Sequence, residues 1–357
     1  MTERAPLRYF AACNSEDGFR SFYHRVFAED LSHRYIIKGG PGTGKSTLMR
    51  RAARRAKERG YEVEEIYCSS DPHSLDGVIL HRGSECIAIL DGTAPHVTEM
   101  ELPGARDEIL YVGDFWSTAA LKAQRHTLDA RGREKAECYA VFYRYLRAAG
   151  QCERNMEAEI APILDHTKIR DTVSRLLSHD PIGKGFSEKV MLTSSVGMRG
   201  RFRYGTFEGA SDTVYAIRDF GGTAYRFFDE LCRMARQRHM RTWASYDPLI
   251  PSHVDGICFP DTRICFVRAD LPPCGEASKE KAVRRISMRR FVGSLGDASA
   301  EGIREARRCR DHMLLAACKT AERIRELHFS METAYGAAMD FDTMEKYTDV
   351  WLARILP

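Results

Sequence analysis

Long apolar runs are missing from this chain of 357 residues, and so is any strong excess of charge. No apolar stretch approaches the length a helix needs to cross a bilayer, and the opening MTERAPLRYFAACNSEDG lacks the apolar segment of a secretory leader. A cytoplasmic protein with no membrane partner is expected. With 54 basic against 50 acidic residues the net charge is only +4, so a surface dedicated to nucleic acid is not expected, and contact with acidic partners has to be local. C-x-x-C pairs are absent as well. The 11 cysteines stand singly, which points to buried thiols rather than disulfides. Cys309 and His312 lie three apart on a predicted helix, but no second ligand pair follows them, and core packing accounts for both.

What is present centres on Gly39-Gly40-Pro41-Gly42-Thr43-Gly44-Lys45-Ser46-Thr47, which fits the phosphate-loop pattern G-x-x-x-x-G-K-[ST] without mismatch. Tyr35-Ile36-Ile37 before it reads as a buried strand, and residues 48–59 after it read as a helix. Glycines let a backbone wrap round an anion, so the N–H groups of Gly42, Thr43, Gly44 and Lys45 are expected to face phosphate, aided by the helix dipole. Lys45 is then expected on the β- and γ-phosphates of ATP, Ser46 on Mg²⁺ and Thr47 on the α-phosphate. The competing reading is a glycine-rich turn that binds nothing.

Downstream, Cys86-Ile87-Ala88-Ile89-Leu90 is an apolar strand ending in Asp91, the pattern of the carboxylate that holds Mg²⁺ beside a phosphate loop. The next residue is Gly92, where many ATPases carry a water-activating Glu. A base has to come from elsewhere, and His96, Asp71, Asp76 and Glu65 are the candidates by their places near strand ends. Asp71 and Asp76 suit ordinary turns equally well, as Asp-Pro and Asp-Gly.

Residues 8–27 mix aromatic with small polar residues and read as a short strand or loop followed by a helix, the aromatics destined for the core or for a wall beside the nucleotide base. Gly60 is a natural helix C-cap, and 61–67 and 77–81 read as strands. Residues 105–177 read as helical, with amphipathic stretches at 117–128, 133–149 and 165–177. Asp180-Pro181-Ile182-Gly183-Lys184-Gly185 breaks that pattern and divides the chain into an N-terminal nucleotide-binding lobe with a helical extension, 1–185, and a second lobe, 186–357.

The second lobe repeats the first. Asp247-Pro248, Asp255-Gly256, the strand Ile264-Cys265-Phe266-Val267 and Pro272 echo Asp71-Pro72, Asp76-Gly77, Ile87-Ala88-Ile89-Leu90 and Pro95, 176 to 179 residues later. Leu164-Asp165 is likewise answered by Met339-Asp340. Where a second phosphate loop belongs, the chain reads Asp219-Phe220-Gly221-Gly222-Thr223-Ala224-Tyr225, with no Gly-Lys-Ser, and Asp91 maps onto Arg268, a cation where Mg²⁺ needs an anion. One live site is therefore expected, with lobe two a packing partner. The sharper alternative is Arg268 reaching the γ-phosphate as a finger in cis.

Lys38 to Thr47, Cys68-Ser69-Ser70-Asp71 with Leu75-Asp76-Gly77-Val78, and Asp91-Gly92-Thr93-Ala94-Pro95-His96 resemble an uncharacterised family of bacterial tandem P-loop ATPase-like proteins, known best from Gram-positive anaerobes and spore formers. The likeness covers nearly the whole chain, though in that family both halves usually carry a phosphate loop. It implies an α/β fold, a P-loop NTPase-like parallel sheet flanked by helices and tandemly repeated with helical additions. It also implies ATP binding, with Lys45, Ser46, Thr47 and Asp91 in the usual roles, and hydrolysis.

Three functions follow as expectations. The first is a Mg·ATP hydrolase whose lobe motion works on an unknown protein partner. The second is a phosphotransferase for a small-molecule acceptor, a metabolite or nucleoside. The third is a nucleotide-gated module for protein or nucleic acid, supported only by the clusters at Arg50-Arg51-Arg54-Arg55-Lys57, Arg284-Arg285-Arg289-Arg290 and Arg307-Arg308-Arg310, which read more simply as solvated helix faces.

Overall fold

The computed structural model describes residues 6–27, 30–178, 183, 185–270, 273 and 283–357. In chain order, the first half carries β1 (Leu7–Phe10), the hairpin β2 (Ala12–Ser15) and β3 (Gly18–Ser21), α1 (Tyr23–Val26), β4 (His33–Lys38) and α2 (Lys45–Glu58). It continues with β5 (Glu62–Tyr67), β6 (Leu75–Arg82), β7 (Glu85–Asp91), β8 (Asp107–Tyr111), α3 (Thr118–Ala123), α4 (Arg125–Ile160) and α5 (His166–Leu176). The second half carries β9 (Ser187–Val190), β10 (Ser194–Gly197), β11 (Gly200–Arg203), α6 (Thr206–Ala210), β12 (Thr213–Arg218), α7 (Ala224–Gln237), β13 (Arg241–Tyr246) and β14 (Val254–Phe259). Last come β15 (Ile264–Arg268), β16 (Val283–Ser287), α8 (Asp297–Gly336) and α9 (Phe341–Ile355).

The two halves build the same α/β sheet, ordered β1-β5-β6-β7-β4-β8 in one and β9-β13-β14-β15-β12-β16 in the other. Both are mixed, which corrects the expectation of a parallel sheet: β6 runs antiparallel to β5 and β7, as β14 does to β13 and β15. The reason is loop length. Only Gly83 and Ser84 separate β6 from β7, enough for a hairpin and far too few for a crossover, and Gly83 supplies the positive φ of 61° that the turn needs.

Register shows where the repeat holds and where it does not. Each sheet has a bulge at the same place, Ile66/Tyr67 in β5 and Ser245/Tyr246 in β13. The loops that follow close alike, Cys68 N–H on Ser74 C=O and Asp247 N–H on His253 C=O. This aligns Asp247 with Cys68 and Asp71 with Ile250, so the two Asp-Pro pairs are not equivalent, whereas Asp76 and Asp255 are. Asp165 and Asp340 are equivalent N-caps, accepting from Lys168 N–H and Thr343 N–H while donating N–H to Phe291 and Phe115 C=O. Pro272, and most of the 180–185 breaker, lie outside the described residues.

Two expectations about 105–177 change. Residues 107–111 are strand β8, pairing with β4 and burying Leu110 while Ile109 and Tyr111 face outward. The stretch 117–128 breaks at Gln124, between α3 and α4, whereas Gly132 is no break: α4 runs unbroken for 36 residues, about 54 Å at 1.5 Å per residue.

That length bears on the domains. Contacts group the chain into one unit of Met1–Ala11, Ser21–Val141 and Thr320–Pro357 and another of Ala12–Arg20 and Phe142–Lys319, rather than along a single cut at 185. In the first unit α2 lies on β5, β6 and β7 and meets α9. Leu48, Met49, Ala52, Ala53 and Ala56 form its buried face. In the second, α7 lies on β14 and meets α5, over a core rich in Phe227, Phe228, Phe259, Phe266 and Phe291. Each such ring or aliphatic chain contributes roughly 1.5–3 kcal/mol by leaving water. α5 and α9 are repeat equivalents, so each sheet is covered by the helix that follows the other sheet in sequence. Among the described residues no helix is long and apolar enough to cross a membrane.

Candidate functional site

The loop after β4 leaves the sheet at Gly39 and enters α2 at Lys45. Gly42 and Gly44 have φ of 69° and 83°, a left-handed region that side chains rarely adopt. Gly42 and Gly40 are also crowded, because a Cβ on Gly42 would collide with the Glu332 main chain and one on Gly40 would meet the Tyr335 ring at 2.8 Å. Thr43 Oγ1 donates to Gly40 C=O at 2.8 Å and is buried, while Pro41 is half-buried and Thr47 is exposed at the start of α2. The amides of a helix's first turn have no partner inside the helix, and α2 places its first turn at this loop.

Register carries Asp91 to the loop. It ends β7, is the parallel neighbour of Ile37 on β4, and lies 3.5 Å from Lys45 Nζ. Lys45 also donates to Gly39 C=O at 3.2 Å and Gly40 C=O at 2.6 Å. Thr93 ties the pieces together: its N–H donates to Asp91 Oδ1 at 2.8 Å and its hydroxyl to Gly39 C=O at 2.9 Å. Burial pushes the Asp91 carboxyl up, and the Lys45 ammonium works against that. Ser46 Oγ accepts from Leu75 N–H at 2.9 Å, which brings the start of β6 beside the loop.

Four candidates for the base separate. Glu65 is taken up by Lys57 at 3.1 Å, Arg8 at 3.3 Å and Tyr67 at 2.9 Å. Asp71 accepts from His73 N–H, as a turn residue does. Asp76 and His96 meet at 3.0 Å, both buried. Burial opposes the imidazolium, but the Asp76 carboxylate outweighs it and His96 is raised above its ordinary value. Tyr23 stacks on the His96 ring at 4.8 Å between centroids. Of the other aromatics of 8–27, Tyr9, Phe10, Phe22 and Phe27 are buried and Phe19 is half-buried.

Sequence reasoning missed Cys68, whose sulfur clusters with Asp76 and His96, and Tyr139 on α4, whose hydroxyl donates to Ser70 Oγ at 3.2 Å. The cysteine's place at the end of β5 was a usable signal; the tyrosine had none. Cys309 and His312 are both exposed, so core packing does not account for them, and they form no metal-ligating group among the described residues.

The equivalent loop in the second unit is closed by its own chain. Asp219 accepts from Gly222 N–H at 2.8 Å and Ala224 N–H at 2.7 Å, putting a carboxylate where the first loop presents amides. Arg268 binds Asp247 at 2.5 Å, Asp270 at 2.6 Å and Glu153 at 2.8 Å, which commits the guanidinium within its own unit and leaves it unsuited to act as a finger. The basic clusters are also largely engaged: Arg51 with Asp349, Lys57 with Glu65, Arg284 with Tyr215, Arg308 with Glu305 and Arg310 with Glu153.

A hollow of about 380 Å³ elsewhere in the first unit is lined by Asp114, Trp116, Ser117 and Asp340 with no cation, which suits no phosphate. No protein-family model, curated protein or solved structure matches the chain.

Proposed function

We propose that the first unit binds a Mg²⁺ nucleoside triphosphate, with ATP the expected nucleotide, at residues 39–47 and hydrolyses it. The observation that carries this reading is Lys45, the lysine of a complete phosphate-loop motif, lying 3.5 Å from the carboxylate that ends the neighbouring parallel strand. The donor set fits the group: Gly42 and Gly44 free the backbone to curl, Lys45 answers the β- and γ-phosphates, and Ser46 and Asp91 offer hard oxygens to Mg²⁺. Ser46 and Asp91 would hold Mg²⁺, which would supply neutralisation of the charge on the transferring phosphoryl oxygens. His96 and Asp76 meet at 3.0 Å beside the site. The tandem sheets also support placing the chain with the P-loop ATPase-like proteins that it resembles.

A second reading has one observation in its favour. Gly92 follows Asp91 where many ATPases carry a water-activating Glu, which favours phosphoryl transfer to a small-molecule acceptor.

Titration of the full chain and of Lys45→Ala with labelled ATP and Mg²⁺, following binding and phosphate release together, tests both. Hydrolysis predicts one nucleotide per chain with release, and binding at least tenfold weaker in the variant, about 1.4 kcal/mol. Binding without release moves the weight to transfer. Equal binding by the two proteins sinks the reading.

A further inference from the structure

Beside the phosphate loop lies a group of side chains that nucleotide binding does not use. Cys68 directly follows β5, Asp76 stands at the bulge where β6 begins, and His96 comes from the loop after β7. One ligand atom from each, the Cys68 sulfur, an Asp76 carboxylate oxygen and a His96 ring nitrogen, lies within 4.8 Å of the others. Asp76 and His96 are 6% and 7% exposed, and every cysteine among the described residues is a free thiol.

We propose that Cys68, Asp76 and His96 form a binding site for a divalent transition-metal ion of the zinc class. The chemistry of the donors decides the class. A thiolate and an imidazole are soft and borderline ligands that select zinc-like ions, whereas Ser46 and Asp91 offer only the hard oxygens that suit Mg²⁺. Two ligands about 2.1 Å from a tetrahedral ion lie about 3.4 Å apart. Asp76 Oδ2 and His96 Nε2 stand at 3.0 Å and open by a few tenths of an ångström to admit the ion, while the Cys68 sulfur, within 4.8 Å of both, closes by up to about 1 Å. Three protein ligands leave a fourth position for water or substrate. Tyr23, stacked on the imidazole at an interplanar angle of 15°, holds the ring in place as an outer-sphere partner.

The second half gives an independent reason to place a cation here. Its equivalents of Cys68 and Asp76 are Asp247 and Asp255, and in that frame the Arg268 guanidinium lies 2.5 Å from Asp247. In the second half a guanidinium thus stands against the ends of these strands. In the first no arginine occupies the position, and Asp91 stands there instead.

Metal binding displaces protons from a thiol and an imidazole, so affinity falls as pH is lowered.

Titration of the full metal-free chain with Co²⁺, read by absorbance, tests the proposal. One Co²⁺ per chain with a near-ultraviolet thiolate-to-cobalt band is expected, and Cys68→Ser loses the band and binds at least tenfold more weakly. Retention of the band in Cys68→Ser, or no band in the parent chain, overturns it. A reading on the unmutated protein covers the case in which the variant does not fold. Zinc-edge absorption of the Zn²⁺-loaded chain should show one sulfur at about 2.3 Å with nitrogen or oxygen at about 2.0–2.1 Å, and a shell without sulfur overturns the site. The proposal does not rest on nucleotide binding. Lys45→Ala should keep the cobalt band, so failure of the nucleotide reading and failure of the metal site are told apart.

Discussion

At position 268 a guanidinium stands where the first half has the Asp91 carboxylate, and its surroundings are acidic to match. Glu153, 4% exposed, receives Arg268 at 2.8 Å and Arg310 at 2.9 Å. Burial alone would raise its carboxyl; the two arginines overcome that and hold it at about 2, against 4.5 for an ordinary Glu. Its folded value is depressed, so its contribution is complete above about pH 4.5 and is lost as pH falls toward 2. Glu153→Gln should cost about 3–5 kcal/mol at neutral pH, because two arginines lose a buried counter-charge. The check is urea unfolding at pH 7 and at pH 3: the variant's stability should fall less between the two than the parent's. An equal fall in both proteins would remove Glu153 from the acid response.

Among elements, α4 offers two glycines with opposite expectations. Gly132 meets nothing within 4 Å where a Cβ would stand, so Gly132→Ala should stabilise the helix by about 0.5–1 kcal/mol. Gly150 faces Glu16, which is buried and held by Arg154, and a Cβ there would collide with the carboxylate. Gly150→Ala should cost about 1–3 kcal/mol despite the better helix former. Thermal melts of the two variants are expected to shift in opposite directions, and a rise in both would show that Glu16 yields at no cost. The same helix shows why element boundaries were hard to read: Gly132 resembles a breaker in sequence, but helix formers on either side carry the hydrogen bonds through it. β8 was missed for the opposite reason. Its Glu-Ile-Leu-Tyr run has no strong strand pattern, and only pairing with β4 makes it extended.

Across the whole molecule, the composition of the units decides which pieces can fold. Trp351 of α9 is buried edge-on to Tyr35 of β4, with 5.2 Å between ring centroids, and Met344 is buried on the same helix. A fragment of residues 1–185 lacks this cover, so it should be insoluble or expose apolar surface to a dye, and supplying 320–357 should reverse this. A monomeric, cooperatively melting 1–185 would count against the grouping.

The glycine-rich loop of residues 39–47, the apolar strand ending in Asp91 and the absence of Gly-Lys-Ser from residues 219–225 were legible in the order of residues, because each depends on short-range spacing, and the repeat was legible as a recurrence of such short patterns. The meeting of Lys45 with Asp91, of Cys68 with Asp76 and His96, and of Asp219 with its own loop's amides was not, since strand register and loop closure bring those atoms together. The pairing of each sheet with the helix that follows the other was also invisible in sequence, where neighbouring segments look like partners. A long helix carries the chain away from the sheet it has just left, and the apolar face of the next helix is buried wherever that chain arrives.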